Sequence, residues 1–280
     1  MVKVKTITVI PIYKKDLTAS EAASLKQCAT VIKATEFCFV APKSLDTGNY
    51  EKIMLECDTH FKIETYDDIH FQSVYNYSKL LLNVEFYKRF QEFEYMFLYQ
   101  LDGWVFRDEL DFWCKQGYDY IGAPWFEGYD NAKEDADFLS PSGNGGVCLR
   151  KIPKFIEILS CKYSLYNHRL KTFCELFGEY TQNKSKNKSY GKIIEIIKDY
   201  FSKKNTIKYV FETMYEDYVI VNFFPKIDDS FRIAPNEINY KFSFEANPRR
   251  LYKLNNSKLP FTCHAFERYD WSFWKDFIKL

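Results

Sequence analysis

Tyr95-Met-Phe-Leu-Tyr-Gln-Leu-Asp102 decides the fold. Residues 95–99 are apolar without a break, too short a run for a helix and without the alternation of a half-exposed strand. Such a run fits a strand covered on both faces, the usual state of a strand inside a parallel sheet. An acidic residue stands just past its end. In open α/β sheets, ligands gather outside the carboxyl ends of the strands. A carboxylate there can hold a hard cation, which in turn holds phosphate oxygens. Asp102 is therefore a metal-ligand candidate, with a turn-capping Asp as the competing reading.

Working outward, Thr6–Ile12 reads as a first strand, residues 19–33 as a helix and Glu36–Ala41 as a second strand closed by Pro42. This β-α-β opening favours a parallel sheet with crossover helices. A short strand is expected within 54–63, one helix over about 74–90, and strands at 118–121 and 147–149. A helix is expected over 193–201, and the apolar stretch 218–224 reads as a helix end or a short strand. The polar stretch 183–192 reads as a mobile loop. The last third, with Pro225, Pro235, Pro248 and Pro260, reads as irregular. No repeat or linker divides the 280 residues, so one α/β domain is expected.

Composition excludes several classes. Net charge is +1, without the basic excess of a nucleic-acid binder. No stretch reaches the roughly 18 apolar residues of a spanning helix. The N-terminus reads as a strand rather than a signal peptide, so an intracellular protein is expected. Eight scattered Cys without C-x-x-C argue against a disulfide framework or a Cys-rich zinc site. Aromatic residues are 19% of the chain, which suits either a ligand-stacking surface or a compositional bias.

Four further stretches can carry chemistry. Gly143-Asn-Gly-Gly-Val-Cys-Leu-Arg150 allows close backbone approach to a ligand, or forms a tight turn before a strand. Glu216-Asp217 offers a general base, or an acidic helix start complementing the dipole. His264, in an aromatic Pro-bounded loop, is a metal ligand or a core histidine. Asn76, Ser78 and Lys79, near a helix start, suit a phosphate or ordinary capping.

In their order along the chain these stretches resemble the GT-A glycosyltransferases, specifically the β-1,3-galactosyltransferase and Fringe-like group. They are also similar to an uncharacterised bacterial glycosyltransferase-like family found with surface-polysaccharide genes. Asn76-Tyr-Ser-Lys79 resembles the helix before the metal strand. Gln100-Leu-Asp102 occupies the place of the D-x-D motif, with Gln100 where the first Asp would stand. Residues 143–150 resemble the glycine-rich strand, Glu216-Asp217 the E-D motif, and His264 the C-terminal metal histidine.

The resemblance implies a single GT-A (Rossmann-like) domain that moves a hexose, galactose being one candidate, from a nucleotide-diphosphate sugar, UDP-linked by preference. The acceptor would be a hydroxyl of a glycan or lipid-linked glycan in bacterial surface-polysaccharide synthesis. Asp217 would be the base of an inverting transfer, with Glu216 the second choice. Pro11, Tyr13, Asp68, Asn76, Lys79, Gln100 and Asp102 would meet the donor, and Trp125, Asn144, Gly145 and Gly146 the sugar or acceptor. Asp102 and His264 would hold Mn2+ or Mg2+, with a weakened or absent metal site as the alternative that Gln100 raises. Trp125 and Phe266 are expected beside ligand and Trp104 in the core. Lys184, Lys186, Lys188, Lys192, Lys198, Lys203, Lys204 and Lys208 suit peripheral contact with an anionic membrane at its cytoplasmic face, or a solvated surface. The rival classes are a non-catalytic carbohydrate-binding module and a metal-dependent phosphate hydrolase, the latter disfavoured by the lack of H-x-H or H-E-x-x-H.

Overall fold

The computed structural model describes residues 4–33, 35–161, 168–182 and 190–280. A six-stranded sheet runs in the order β3 (Phe61–Tyr66), β2 (Glu36–Pro42), β1 (Thr6–Pro11), β4 (Tyr95–Tyr99), β7 (Val147–Lys151), β6 (Tyr120–Gly122). β1, β2, β3 and β4 are mutually parallel, and β7 runs antiparallel to both β4 and β6. The result is a mixed α/β domain with a mostly parallel sheet between helices.

Side-chain alternation explains why β4 reads as an unbroken apolar run. Met96 and Leu98 join one core cluster, with Ile7 and Val9 of β1. Tyr95, Phe97 and Tyr99 join the opposite cluster, with Ile10 and Ile12. Both faces exclude water, so successive residues of β4 are apolar whichever way they point. Thr18 and Glu21 form a reciprocal capping box that starts helix Ala19–Val31.

A second sheet of three short strands, in the order β5 (Trp104–Val105), β9 (Thr262–Cys263), β8 (Ser243–Phe244), covers the third core cluster. Trp274, Phe273 and Ile278 pack into that cluster and tie the C-terminal segment to the domain.

Several sequence expectations are corrected. Residues 54–63 straddle the end of helix Gly48–Glu56 and the start of β3. The helix expected over 74–90 is two, Val74–Leu81 and Val84–Lys88, because the Asn83 side chain caps the second by accepting from the Glu85 amide. The stretch 218–224 lies inside helix Glu216–Ile227, whose one-sided apolar pattern the carboxylates at its first turn support. The last third is ordered into helices Asn236–Phe242, Pro248–Leu254 and Trp271–Trp274 as well as β8 and β9, with Pro248 at a helix first turn where its missing N–H costs little. Helix Tyr190–Phe201 begins three residues before the expected start, so 190–192 are helical. The rest of the expected loop, 183–189, lies outside the described residues.

Candidate functional site

The site lies where the carboxyl ends of β1 and β4 meet the amino end of β7. Because β7 is antiparallel, Tyr99 pairs with Val147, and the backbone leaving β4 meets the glycines entering β7. The Gln100 amide donates to the Gly146 carbonyl at 3.0 Å. Pairing of Trp104 with Cys263 then brings the chain after β4 alongside β9. Parallel pairing of β8 with β9 sets the residues that follow them, Glu245 and His264, side by side.

His264 is buried and engaged at both ring nitrogens. Its Nδ1 donates to Glu245 Oε1 at 2.8 Å, and its Nε2 lies 3.3 Å from both Asp102 Oδ1 and Gln100 Oε1. Burial alone would lower the pKa of the imidazole, but Asp102 and Glu245 outweigh it and raise the value to about 10. Burial pushes Asp102 upward, and the neighbouring His264 outweighs that, holding its carboxyl below the ordinary value. Glu245 also accepts from Asn144 Nδ2 at 2.9 Å, while Asn144 Oδ1 accepts from the Gly146 amide at 2.7 Å. The imidazole is thus oriented through a carboxylate that is itself hydrogen-bonded, the arrangement seen behind metal-bound histidines.

Gly146 exists to let this happen. A Cβ there would stand 2.1 Å from His264 Nε2. At Gly145 it would stand 2.6 Å from Glu216 Oε1 and 3.1 Å from Asp217 Cβ. Both glycines give up side chains for close approach.

The Asp217 carboxylate accepts from the Gly145 amide at 3.2 Å and the Tyr218 amide at 2.8 Å. Burial, then the like charges of Glu216 and Glu245, outweigh those two hydrogen bonds and raise its pKa to about 7. Glu216 faces the other way. It is buried, pairs with the fully buried Arg150 at 3.3 Å and accepts from Ser78 Oγ at 2.6 Å.

Beside this cluster a cleft of about 450 Å3 is lined by, among others, Pro11, Tyr13, Lys14, Tyr77, Gln100 and Asp102. Lys14 is the one cation among the lining residues and pairs with Glu21 at 2.8 Å. Of the residues expected to meet a donor, Pro11, Tyr13, Gln100 and Asp102 share this cleft. Asp68, Asn76 and Lys79 do not line it. Asp68 accepts from the Ser44 amide, Asn76 ties its helix to the Ile69 carbonyl, and exposed Lys79 lies over the Tyr75 ring at 4.2 Å. Trp125 lines a small cavity together with Tyr129, Asn144, Glu245 and Tyr269. Trp104 is core, as expected, and so is Phe266, which packs edge-on against Trp104 rather than facing a ligand.

One residue of the site, Glu245, escapes a sequence reading, and two others, Arg150 and Ser78, take roles their motifs do not suggest. Glu245 belongs to no motif, and only its place just after Phe244 hints at burial. Arg150, in the apolar strand V-C-L-R-K, is the stronger signal, since a buried guanidinium requires a buried partner. Ser78 looked like part of a helix start, but its hydroxyl serves Glu216.

The donor set can be tested for a divalent cation. Among the described residues no three His, Cys, Asp or Glu side chains converge as a metal site. Asp102 and His264 converge as a pair, with the amide oxygen of Gln100 as a third donor. One carboxylate, one imidazole and one amide oxygen fit an ion of the Mg2+ or Mn2+ type that takes its remaining ligands from water and phosphate. The residues present therefore fit an open, substrate-completed cation site.

The chain is similar in overall structure to mouse xyloside xylosyltransferase 1 in its apo form, at 10% identity and a TM-score of 0.47, covering 93% of this chain and 97% of that one. It is similar to the glycosyltransferase GlyE of Streptococcus pneumoniae TIGR4, at 11% identity and a TM-score of 0.45, covering 94% of this chain and 54% of GlyE. A glycosyltransferase involved in glycosylating the major capsid of PBCV-1 aligns at 11% identity and a TM-score of 0.42, covering 94% and 97%. No curated protein sequence matches the chain. Residues 60–264, which span the cleft helix, the glycine-rich strand, Asp217 and His264, match the profile of the protein family of unknown function DUF5672, and the chain belongs to that family.

Proposed function

We propose that this protein is a glycosyltransferase that moves a hexose from a nucleoside-diphosphate sugar, uridine-linked by preference, to a hydroxyl of a glycan or lipid-linked glycan. The observation that carries the reading is Asp217. Its carboxylate is held by two backbone amides, has a pKa raised to about 7, and stands one glycine away from the residue that packs on His264. A base poised near neutral pH, joined through Gly145 and Gly146 to the His264 cluster at the strand ends, suits deprotonation of a weakly acidic hydroxyl.

In this reading the base and ribose of the donor lie along Pro11, Tyr13 and Tyr77, with the diphosphate toward Gln100 and Asp102. Asp102 and His264, with Gln100, would hold Mn2+ or Mg2+, which when bound supplies charge neutralisation for the diphosphate. The cleft's own cation, Lys14, is already paired, which supports that need. Asp217 takes the proton from the acceptor hydroxyl as its oxygen bonds to the anomeric carbon. The bond from that carbon to the diphosphate oxygen breaks, and the nucleoside diphosphate leaves with the bonding pair. Attack from the opposite face inverts the anomeric centre. Asn144 and Trp125, beside the same cluster, are the proposed sugar contacts.

We place the reaction in bacterial surface-polysaccharide synthesis, at the cytoplasmic side of the membrane, on the strength of the sequence resemblance. No helix among the described residues is long and apolar enough to cross a membrane. Helix Tyr190–Phe201 exposes Ile193, Ile194 and Phe201 near Lys198, Lys203 and Lys204, which supports peripheral contact with anionic lipid. Lys184, Lys186 and Lys188 lie outside the described residues.

A non-catalytic carbohydrate-binding role is the second reading, favoured by Gln100 standing where a carboxylate would strengthen the cation site. The deciding experiment is turnover of a panel of UDP-, GDP- and CMP-sugars with Mn2+ or chelator, in the wild type and in Asp217→Asn, Asp102→Ala and His264→Ala. The proposal expects Asp217→Asn to abolish transfer with donor affinity retained, and the other two to lose the response to Mn2+. Sugar binding without turnover of any donor would establish the second reading.

A further inference from the structure

Among the described residues, Arg150 carries a charge beside the site without lining the cleft. Its side chain is 0% exposed. Nη1 donates to the Tyr87 hydroxyl at 2.9 Å, Nε to Cys148 Sγ at 3.2 Å, and Nη2 to the Gly145 carbonyl at 3.4 Å and to Glu216 Oε1 at 3.3 Å. The Tyr87 hydroxyl in turn donates to the Leu81 carbonyl at 2.9 Å. Gly145 is therefore gripped on both sides of its peptide, the carbonyl by Arg150 and the amide by Asp217.

Glu216 closes the circuit. Its second oxygen accepts from Ser78, on helix Val74–Leu81, whose first turn contributes Val74 and Tyr77 to the cleft wall. A buried ion pair is a costly way to stabilise a core, since a well-packed apolar pair of the same volume does as well or better. What an apolar pair would not do is hold two backbone segments and a neighbouring carboxylate in one geometry.

We propose that Arg150, Glu216 and Ser78 form a positioning network that fixes the Asp217 carboxylate and ties it to the helix walling the donor cleft. The proposal rests on the glycosyltransferase reading for what Asp217 does, but not for the network itself. The groups facing Asp217 are Glu216 on its own helix, Glu245 beyond β8, Tyr129, Tyr120 and Cys148, together with the two amides it accepts from. Burial raises the Asp217 carboxyl most, and Glu216 adds the largest like charge, while Arg150 balances the charge of Glu216.

The test uses the full chain and two substitutions. Glu216→Gln keeps the size of the side chain and an acceptor for Ser78 but removes the charge. Carboxyl-carbon NMR, with the Asp217 signal assigned by its loss in Asp217→Asn, should show the Asp217 midpoint falling by on the order of one pH unit. The acid limb of kcat/KM should move down by the same amount. An unmoved Asp217 titration overturns the proposal.

Ser78→Ala should lower kcat roughly tenfold, as for a lost hydrogen bond to a charged group, with the donor KM unchanged. Ser78→Thr, which keeps the hydroxyl, should restore kcat. A raised KM with intact kcat, or no rescue by Thr, overturns the link to the cleft helix. If the wild type turns over no sugar donor while Glu216→Gln still moves the Asp217 titration, the glycosyltransferase reading fails and the network stands. If Glu216→Gln does not fold, the Ser78 pair carries the test through the Asp217 titration and kcat.

Discussion

Gly146→Ala is the sharpest perturbation of the site. The added methyl would stand 2.1 Å from His264 Nε2 and 2.4 Å from Cε1, whereas ordinary contact begins at 3.4 Å. The obstacle is a ring rather than the end of a flexible chain, and the ring must retreat by 1.3 Å. It is tethered from the far side by its 2.8 Å bond to Glu245, so a retreat of that size cannot preserve both that bond and the approach to Asp102. Overpacking of this kind costs about 1–3 kcal/mol. Loss of a charge-assisted hydrogen bond costs about 1.5–3 kcal/mol if the backbone does not yield instead. Urea denaturation should therefore show a loss of about 1–3 kcal/mol from overpacking alone and about 2.5–6 kcal/mol when the hydrogen bond is lost as well. A misplacement near 1 Å at a reacting centre costs about 100-fold in rate, and the thermal shift that the proposed cation site predicts for Mn2+ with nucleotide should be absent. Gly178→Ala is the control. Nothing lies within 4 Å of its added methyl, and it sits inside helix Phe173–Gln182. It should keep the Mn2+ response and gain about 0.5–1 kcal/mol. A Gly146→Ala protein with wild-type stability and an intact Mn2+ response would refute the close-packing account of the His264 site.

Asp217→Asn should also change how stability depends on pH. The native carboxyl has a pKa raised from 3.8 to about 7. Between those values the folded state holds a proton that the unfolded state has released, so wild-type stability falls as pH rises, with a slope approaching about 1.4 kcal/mol per pH unit from this group. Urea midpoints of wild type and Asp217→Asn measured from pH 4.5 to 8 should diverge in favour of the variant, and parallel curves would contradict the burial of that carboxylate. Arg150→Met removes the guanidinium from a fully buried position and leaves Glu216 without its counter-charge, which should cost about 3–5 kcal/mol by chemical denaturation. Arg150→Met/Glu216→Leu removes both charges and should recover most of that loss.

The sheet was legible in sequence because its signal is local. Residues 95–99 are an unbroken apolar stretch of strand length, as burial on both faces requires, and 36–41 and 6–12 are short, β-branched or aromatic runs closed by proline. Periodicity alone did not separate residues 54–63 into a helix end and a strand, nor find the Asn83 cap inside 74–90, because capping depends on side-chain geometry over two or three residues. Phe266 and Trp104 look alike in sequence, both aromatic and near candidate motifs, and both are core. Composition assigns a ring no partner, and the aromatic content of the chain is largely consumed by packing.

The site divides in the same way. A buried strand ending in Gln100 and Asp102, a glycine-rich entry to β7 and a carboxylate pair at a helix start can be read from the residues alone. Each is written in neighbouring residues and follows from backbone sterics, burial and the helix dipole. Which groups meet depends on long-range strand pairing. Gln100 and His264 lie 164 positions apart, and Ser78 and Glu216 lie 138 apart. They converge because β7 runs against β4 and β8 runs with β9. That pairing turns Glu216 inward onto Arg150, leaves Asp217 on the Gly145 amide, and recruits Glu245 behind His264. Adjacent carboxylates on one helix point in different directions, and what each direction holds is fixed by strands far away in the chain.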